Sequence, residues 1–256
     1  MTSADSNTAV GRHSNCNDDE WALRTDLAAA FRLLNRYGMS DLTNGSVVAR
    51  LPGESEWFLT HPHGLHFHEI KASDLLKVNS DGDAFEADVT TNFAVCRPAA
   101  SIFRARPDVN AIIHAHGYGV MGVAALECGL LPICEAAFAF YNDIAYIDAD
   151  FFFEPEYCAQ ISQTLGSHKA LIYRHHAFAT VGATVAEAFF FAYSLNVASE
   201  LQLKVLASNE KVLVPPPEVC QRHYEAFFGS DWQADGSVEW PGLRRTLDAE
   251  EPSYAS

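Results

Sequence analysis

Arg106-Pro107-Asp108-Val109-Asn110-Ala111-Ile112-Ile113-His114-Ala115-His116 decides how this chain is read. A short apolar run, Val109 to Ile113, leads into two histidines two residues apart. Residues i and i+2 of a strand point to one face, so His114 and His116 can reach one point in space. That spacing suits two metal ligands; it equally suits two half-buried histidines at a strand end. The rest of the chain has to decide between them.

A second pair, His175-His176, ends a second apolar run, Ala170-Leu171-Ile172-Tyr173, about sixty residues later. Sequence neighbours on a strand face opposite ways, so one of the two is expected to join His114 and His116. Three neutral imidazoles suit a divalent ion such as Zn, Fe or Co and leave positions open for water or substrate. A third histidine-rich stretch, His61-Pro62-His63-Gly64-Leu65-His66-Phe67-His68, follows the strand Trp57 to Thr60. Pro62 and Gly64 make it a loop, so its histidines are read as pocket or surface groups ahead of metal ligands.

The 256 residues suit one large domain with a sizeable core. With 48% hydrophobic residues the chain is globular. Thirty-three acids against 17 bases give a net charge of -16, which disfavours a phosphate-backbone partner such as nucleic acid. Six cysteines without a CxxC pair fit reduced thiols and a cytoplasmic location. No apolar run approaches the roughly 20 residues of a membrane span. Residues 1–18, rich in Ser, Thr, Asn and Asp, read as a disordered tail, and 19–256 as a single domain.

Helices are expected at Trp21–Tyr37, Pro98–Arg104, Gly119–Cys128, Pro155–Leu165 and Thr184–Ala207, the last with Thr184 and Glu187 as a capping box. Strands are expected at Val47–Arg50, Trp57–Thr60, Leu75–Val78, Val109–Ile113, Ile144–Ile147 and Ala170–Tyr173, with a turn at 79–82. The tail holding Trp232, Trp240 and Tyr254 is expected to pack on the domain or a neighbouring subunit. Glycine-rich phosphate loops and the GxSxG elbow are missing from the sequence, so nucleotide binding and α/β-hydrolase chemistry have no support.

Over about residues 22–255 the chain resembles the class II aldolase/adducin family. The likeness rests on Gly45-Ser46-Val47-Val48-Ala49-Arg50, on Phe58 to Phe67, on Glu69-Ile70-Lys71-Ala72-Ser73-Asp74-Leu75, on Arg106-Pro107-Asp108 with His114-Ala115-His116, on His176-Ala177 with Val181-Gly182, and on Glu239 to Leu243. The resemblance implies a three-layer α/β/α domain with a mostly antiparallel sheet. It implies one divalent ion (Zn, Fe, Mn or Co) on His114, His116 and His176, and a homotetramer with active sites between subunits. Ala177 stands where the family has glycine.

The departures bear on substrate. The sugar-phosphate aldolases carry an acid/base glutamate nineteen residues before the first metal histidine; that position is Val95. Phe93, Ala94 and His63 fall where the family cradles phosphate, and Thr43 remains. Val95 cannot move a proton, and a dianion needs several N–H or O–H donors. A phosphorylated sugar is therefore not the expected substrate. The expected one is a small carboxylated or aromatic molecule, with Thr43, Ser46 and His66 as binding groups. His61, His63 or Tyr141 is the candidate proton donor.

Three functions compete. The first is a metal-dependent lyase, a decarboxylase or retro-aldolase. The second is a non-haem Fe(II) oxygenase cleaving an aromatic oxo-acid side chain, with Glu135 completing a 2-His-1-carboxylate set. The third is an adducin-like module without activity, against which the three retained histidines argue.

Overall fold

The computed structural model describes residues 16–79, 81, 83–85, 91–229 and 233–256; of Ser55 and Phe93 only the backbone is described. Helix α1 (Asp18–Arg36) starts where the Asn17 side chain accepts the Glu20 N–H at 2.8 Å, and three acids occupy its first turn. An acceptor and negative charge at a helix N-terminus satisfy free N–H groups and oppose the dipole. Asn17 and Asp18, expected in the tail, thus belong to the helix; residues 1–15 lie outside the described residues.

Strands β1 (Ser46–Leu51) and β2 (Glu54–Thr60) form a hairpin, then a short 3-10 helix (Ala72–Asp74) leads into β3 (Leu76–Asn79). Ser80 and Gly82 of the expected turn lie outside the described residues, as does Trp232. Helix α2 (Phe93–Ala105) precedes β4 (Ala111–Ala115), and α3 (Tyr118–Ala124) follows it. Next come α4 (Glu135–Phe138), β5 (Ile144–Asp148), α5 (Pro155–Leu165), β6 (Ala170–Arg174), β7 (Ala177–Gly182) and the long α6 (Val185–Ala207). Helices α7 (Pro217–Phe227) and α8 (Trp240–Glu250) follow, and a 3-10 helix (Pro252–Ala255) closes the chain.

The seven strands lie in the order β3-β2-β1-β4-β7-β6-β5. Every neighbouring pair is antiparallel except β5–β6. Alternate residues feed two cores: Val47, Ala49, Ile113 and Ile172 pack under α1 and α6, while Val48, Ile112, Leu171 and Tyr173 pack under α2 and α5. This is the three-layer α/β/α arrangement with a mostly antiparallel sheet.

Three local expectations are corrected. Helix α2 begins five residues before Pro98, because Asn92 caps it by accepting the Ala94 N–H at 3.1 Å. Helix α3 ends at Ala124, and residues 125–129 continue as turns. Strand β7 was not anticipated: the Tyr173 carbonyl accepts the His176 N–H at 3.1 Å, and the chain doubles back as a hairpin.

Paired charges fix the segments around this frame. Arg106 holds Asp108 through two hydrogen bonds of 2.9 and 2.7 Å and donates to the Gly166 carbonyl at 2.6 Å, which ties the entry of β4 to the end of α5. From α1, buried Arg32 donates to the carbonyls of Glu69 and Ile70, and Arg24 to that of Leu75. The histidine-rich loop is thereby anchored at its far end. At the C-terminus, Trp240 donates its indole N–H to Asp26 at 3.0 Å, and fully buried Tyr254 donates to Asp248 at 2.6 Å.

Candidate metal centre

The antiparallel register brings distant segments to one end of the sheet. His114 near the end of β4 pairs with Ser46 at the start of β1 and with Ala179 of β7. The parallel β5–β6 pair puts Asp148 beside Arg174, so the segment after β5 and the β6–β7 turn emerge at the same end. The histidine-rich loop follows β2 at that end as well.

His114, His116 and His176 meet there, each offering one ring nitrogen, with these atoms within 4.8 Å of one another. His175 and His176 form the turn between β6 and β7. His175, at φ 60°, is exposed, and His176 faces the other two rings. The turn, not strand alternation, separates the two neighbours. Gly45 makes the approach possible: at φ 100° it lies so close to β4 that a Cβ would stand 2.8 Å from the His114 carbonyl oxygen.

Electrostatics hold the three rings ready as ligands. Burial pushes the His114 imidazolium well down, with His116 and His176 adding to it and a Phe178 backbone hydrogen bond opposing it. Burial lowers His116 too, against the pull of Asp41. Burial, then His116, brings His176 to about 4. Neutral imidazole is the ligating form, so this donor set fits a divalent ion. Asp41 Oδ2 lies 3.3 Å from His116 Nδ1, the carboxylate–histidine pairing that fixes a ligand's tautomer.

Around the triad the walls differ in character. Phe151, 63% exposed, sets its ring 4.7 Å from that of His176. Val95, Ala94, Ser46, Tyr173 and His114 line a cavity of about 30 Å³ under α2. Val95 and His114 thus line the same cavity. His63 is exposed, and its Nδ1 lies 3.3 Å from Asn92 Nδ2.

Other expected site residues lie elsewhere. His61, expected to contact substrate or donate a proton, is 4% exposed and packs between Phe31 (4.8 Å) and Phe67 (6.3 Å). Burial, with His63 adding, pushes it down to about 4, and its buried Nδ1 has no hydrogen-bond partner. A ring so held is neutral at pH 7 and is a core residue. His66 stacks on His68 at 5.5 Å on the exposed side of the loop. Thr43 is half-buried in the turn beside Asp41, and Ser46 is buried opposite His114. Tyr141 follows α4, which packs chiefly on α6 and α7. Exposed Glu135, on that same helix, is not part of the ligand group found among the described residues.

Sequence reading missed Asp41, Asn92 and Tyr173. Asp41 sits in a polar turn with no local mark of its role, and Tyr173 reads as one more apolar strand residue.

Residues 25–203 match the model of the Class II Aldolase and Adducin N-terminal domain, and the chain belongs to that family. It is 32% identical over 238 residues to a "Putative aldolase class 2 protein" of Caulobacter vibrioides, covering 92% of this chain and 93% of that one. It is 38% identical over 247 residues to alpha-adducin of Mus musculus, covering 90% of this chain but 33% of the adducin. An aldolase II superfamily protein from Pseudomonas syringae superposes with a TM-score of 0.88 at 29% identity, covering 95% of this chain and 99% of that one. The L-fuculose 1-phosphate aldolase of Glaciozyma antarctica PI12 shares the fold, with a TM-score of 0.81 at 22% identity, over 99% of this chain and 96% of that one. Among the described residues, no helix is long and apolar enough to cross a membrane.

Proposed function

We propose that this protein is a metal-dependent carbon–carbon lyase, a decarboxylase or retro-aldolase, acting on a non-phosphorylated oxo- or hydroxy-acid, preferentially an aromatic one. The observation that carries the reading is the convergence of three imidazoles, buried or half-buried, with Val95 lining the cavity next to the first of them, His114. A divalent ion (Zn, Fe, Mn or Co) held by His114, His116 and His176 would act as a Lewis acid on substrate oxygen and stabilise the charge left by C–C cleavage.

The chain's own residues supply the rest. Asp41 orients His116. His63 and Asn92 stand together as donors for a carboxylate, which needs fewer of them than a phosphate. Phe151 offers a ring face at the mouth, which supports an aromatic substrate. On decarboxylation the C–C electron pair stays on the substrate and CO2 departs. The carbon then takes a proton, and His63 is the donor in this reading. Thr43, Ser46 and His66 remain proposed substrate contacts. We place the protein in the cytoplasm as a homotetramer without nucleic-acid or membrane partners; exposed Tyr193, Val197 and Leu201, four residues apart on α6, support an oligomer.

The similarity to alpha-adducin favours a second reading, a module without catalysis. One experiment separates them: protein loaded in turn with zinc, manganese, cobalt or iron is given aromatic oxo- and hydroxy-acids while CO2, aldehyde and oxygen are followed. Product without oxygen uptake supports the lyase. Oxygen uptake with iron alone makes it an oxygenase, and no turnover with any metal makes it a binding module.

A further inference from the structure

We propose that the Tyr173 hydroxyl is a substrate-binding group of this centre, donating a hydrogen bond to the one oxygen of a metal-chelating oxo- or hydroxy-acid that reaches into the small cavity beside His114. The inference rests on the metal-dependent reading above.

Strand β6 carries Tyr173 three residues ahead of His176. Its ring stands edge-on to His114, 5.4 Å away at 89°, and 5.9 Å from His176. The cavity it shares with His114 and Ser46 is otherwise walled by apolar groups such as Val48, Val95 and Ala179. At about 30 Å³ it takes a single water-sized group. The neighbours of the phenol are already engaged: Tyr157 donates to the Asp148 carbonyl at 2.8 Å, and the Cys158 thiol to the Phe153 carbonyl at 3.4 Å. Neither of these bonds takes in the Tyr173 hydroxyl.

A buried tyrosine hydroxyl ordinarily finds a partner, because an unmade hydrogen bond leaves its desolvation uncompensated. Here Tyr173 is 4% exposed, and the open space at its wall borders a candidate metal ligand. A tyrosine hydroxyl is a hydrogen-bond donor. An incoming oxygen supplies the missing acceptor. The room for it exists because Val95 is shorter than the glutamate of the sugar-phosphate aldolases.

The test is acetohydroxamate, which presents two adjacent oxygens to a metal, titrated calorimetrically into zinc-loaded protein. Tyr173→Phe should weaken its binding about fivefold, with zinc content unchanged and a Tm equal to or above that of the wild type. Val95→Leu, which fills the cavity and keeps the hydroxyl, should weaken binding similarly. Unchanged affinity in both zinc-loaded variants would overturn this inference alone. A lowered Tm with unchanged affinity, or loss of zinc on Tyr173→Phe, would also overturn it by making the hydroxyl a structural prop. Failure of the wild type to bind zinc, manganese, cobalt or iron would instead overturn the metal reading beneath it.

Discussion

Asp41 and His116, 75 positions apart, meet across the mouth of the site with Oδ2 at 3.3 Å from Nδ1. A carboxylate there accepts from Nδ1–H and leaves Nε2 free to ligate. Removing such a partner typically costs 10–100-fold in metal affinity. Asp41→Asn should therefore weaken zinc binding by about that factor and leave the fold intact, measured by competition with a chelator of known affinity. Unchanged affinity would show that His116 is oriented by its backbone alone.

Gly45 works through backbone. A methyl group there meets the His114 carbonyl oxygen at 2.8 Å and the Phe67 ring at 3.0 Å, on a residue already at φ 100°. Gly45→Ala should destabilise the protein by about 2 kcal/mol or more. It should also lower metal affinity, because β4 shifts where His114 sits. Chemical denaturation and zinc titration check both effects, and a neutral substitution would contradict the close approach.

Buried histidines set a pH dependence. The His61 ring is pushed from 6.5 to about 4 by burial. Above pH 6.5 the ring is neutral in both folded and unfolded chain, and its contribution is fully present. As pH falls from 6.5 to 4 the unfolded chain takes up a proton that the folded state resists, so stability is lost. At 1.36 kcal/mol per pKa unit the loss from this ring is roughly 3 kcal/mol. His176, also brought to about 4, adds to the loss in metal-free protein. Metal-free protein should show Tm falling steadily from pH 7 to 4, with His61→Phe flattening part of the slope. A flat profile in the wild type would contradict these burials.

His63 is the exposed histidine beside Asn92. His63→Gln keeps a donor but cannot become charged, so an acidic substrate should show a KM raised about three- to tenfold while bound metal stays constant. Loss of metal would move the loop into the coordination sphere, and unchanged kinetics would return it to the surface.

Much of this was legible in the chain. Helix α5 reads correctly from Pro155 to Leu165, because a proline at the first turn marks its start and its apolar residues recur at helical spacing. The Thr184 cap of α6 is real, since its hydroxyl accepts the Glu187 N–H at 3.1 Å; Glu187 itself bonds back to Ala183, one residue earlier than a capping box requires. Strand β7 escaped notice because nothing in Arg174-His175-His176-Ala177 announces a turn; the left-handed residue is a histidine where glycine or asparagine is usual. Burial of His61 was illegible for a different reason. A proline and a glycine mark the loop, but whether its first ring turns inward depends on Phe31, thirty positions away.

The missing glutamate leads to a negative prediction. Val95 lines the cavity beside His114, where it offers neither proton nor ligand. The metal-loaded protein should leave fuculose and ribulose phosphates uncleaved in a coupled assay. Robust cleavage would mean that another residue performs the work assigned to that glutamate.

Metal content tests the central claim most directly. Protein purified without added metal, then equilibrated with zinc, manganese, cobalt or iron and freed of excess, is analysed by elemental mass spectrometry alongside His114→Ala, His116→Ala and His176→Ala. The account predicts one divalent ion per chain in the wild type and a sharp loss in each variant that keeps its fold by circular dichroism. A wild type that retains none of these metals, or full occupancy in all three variants, would contradict it.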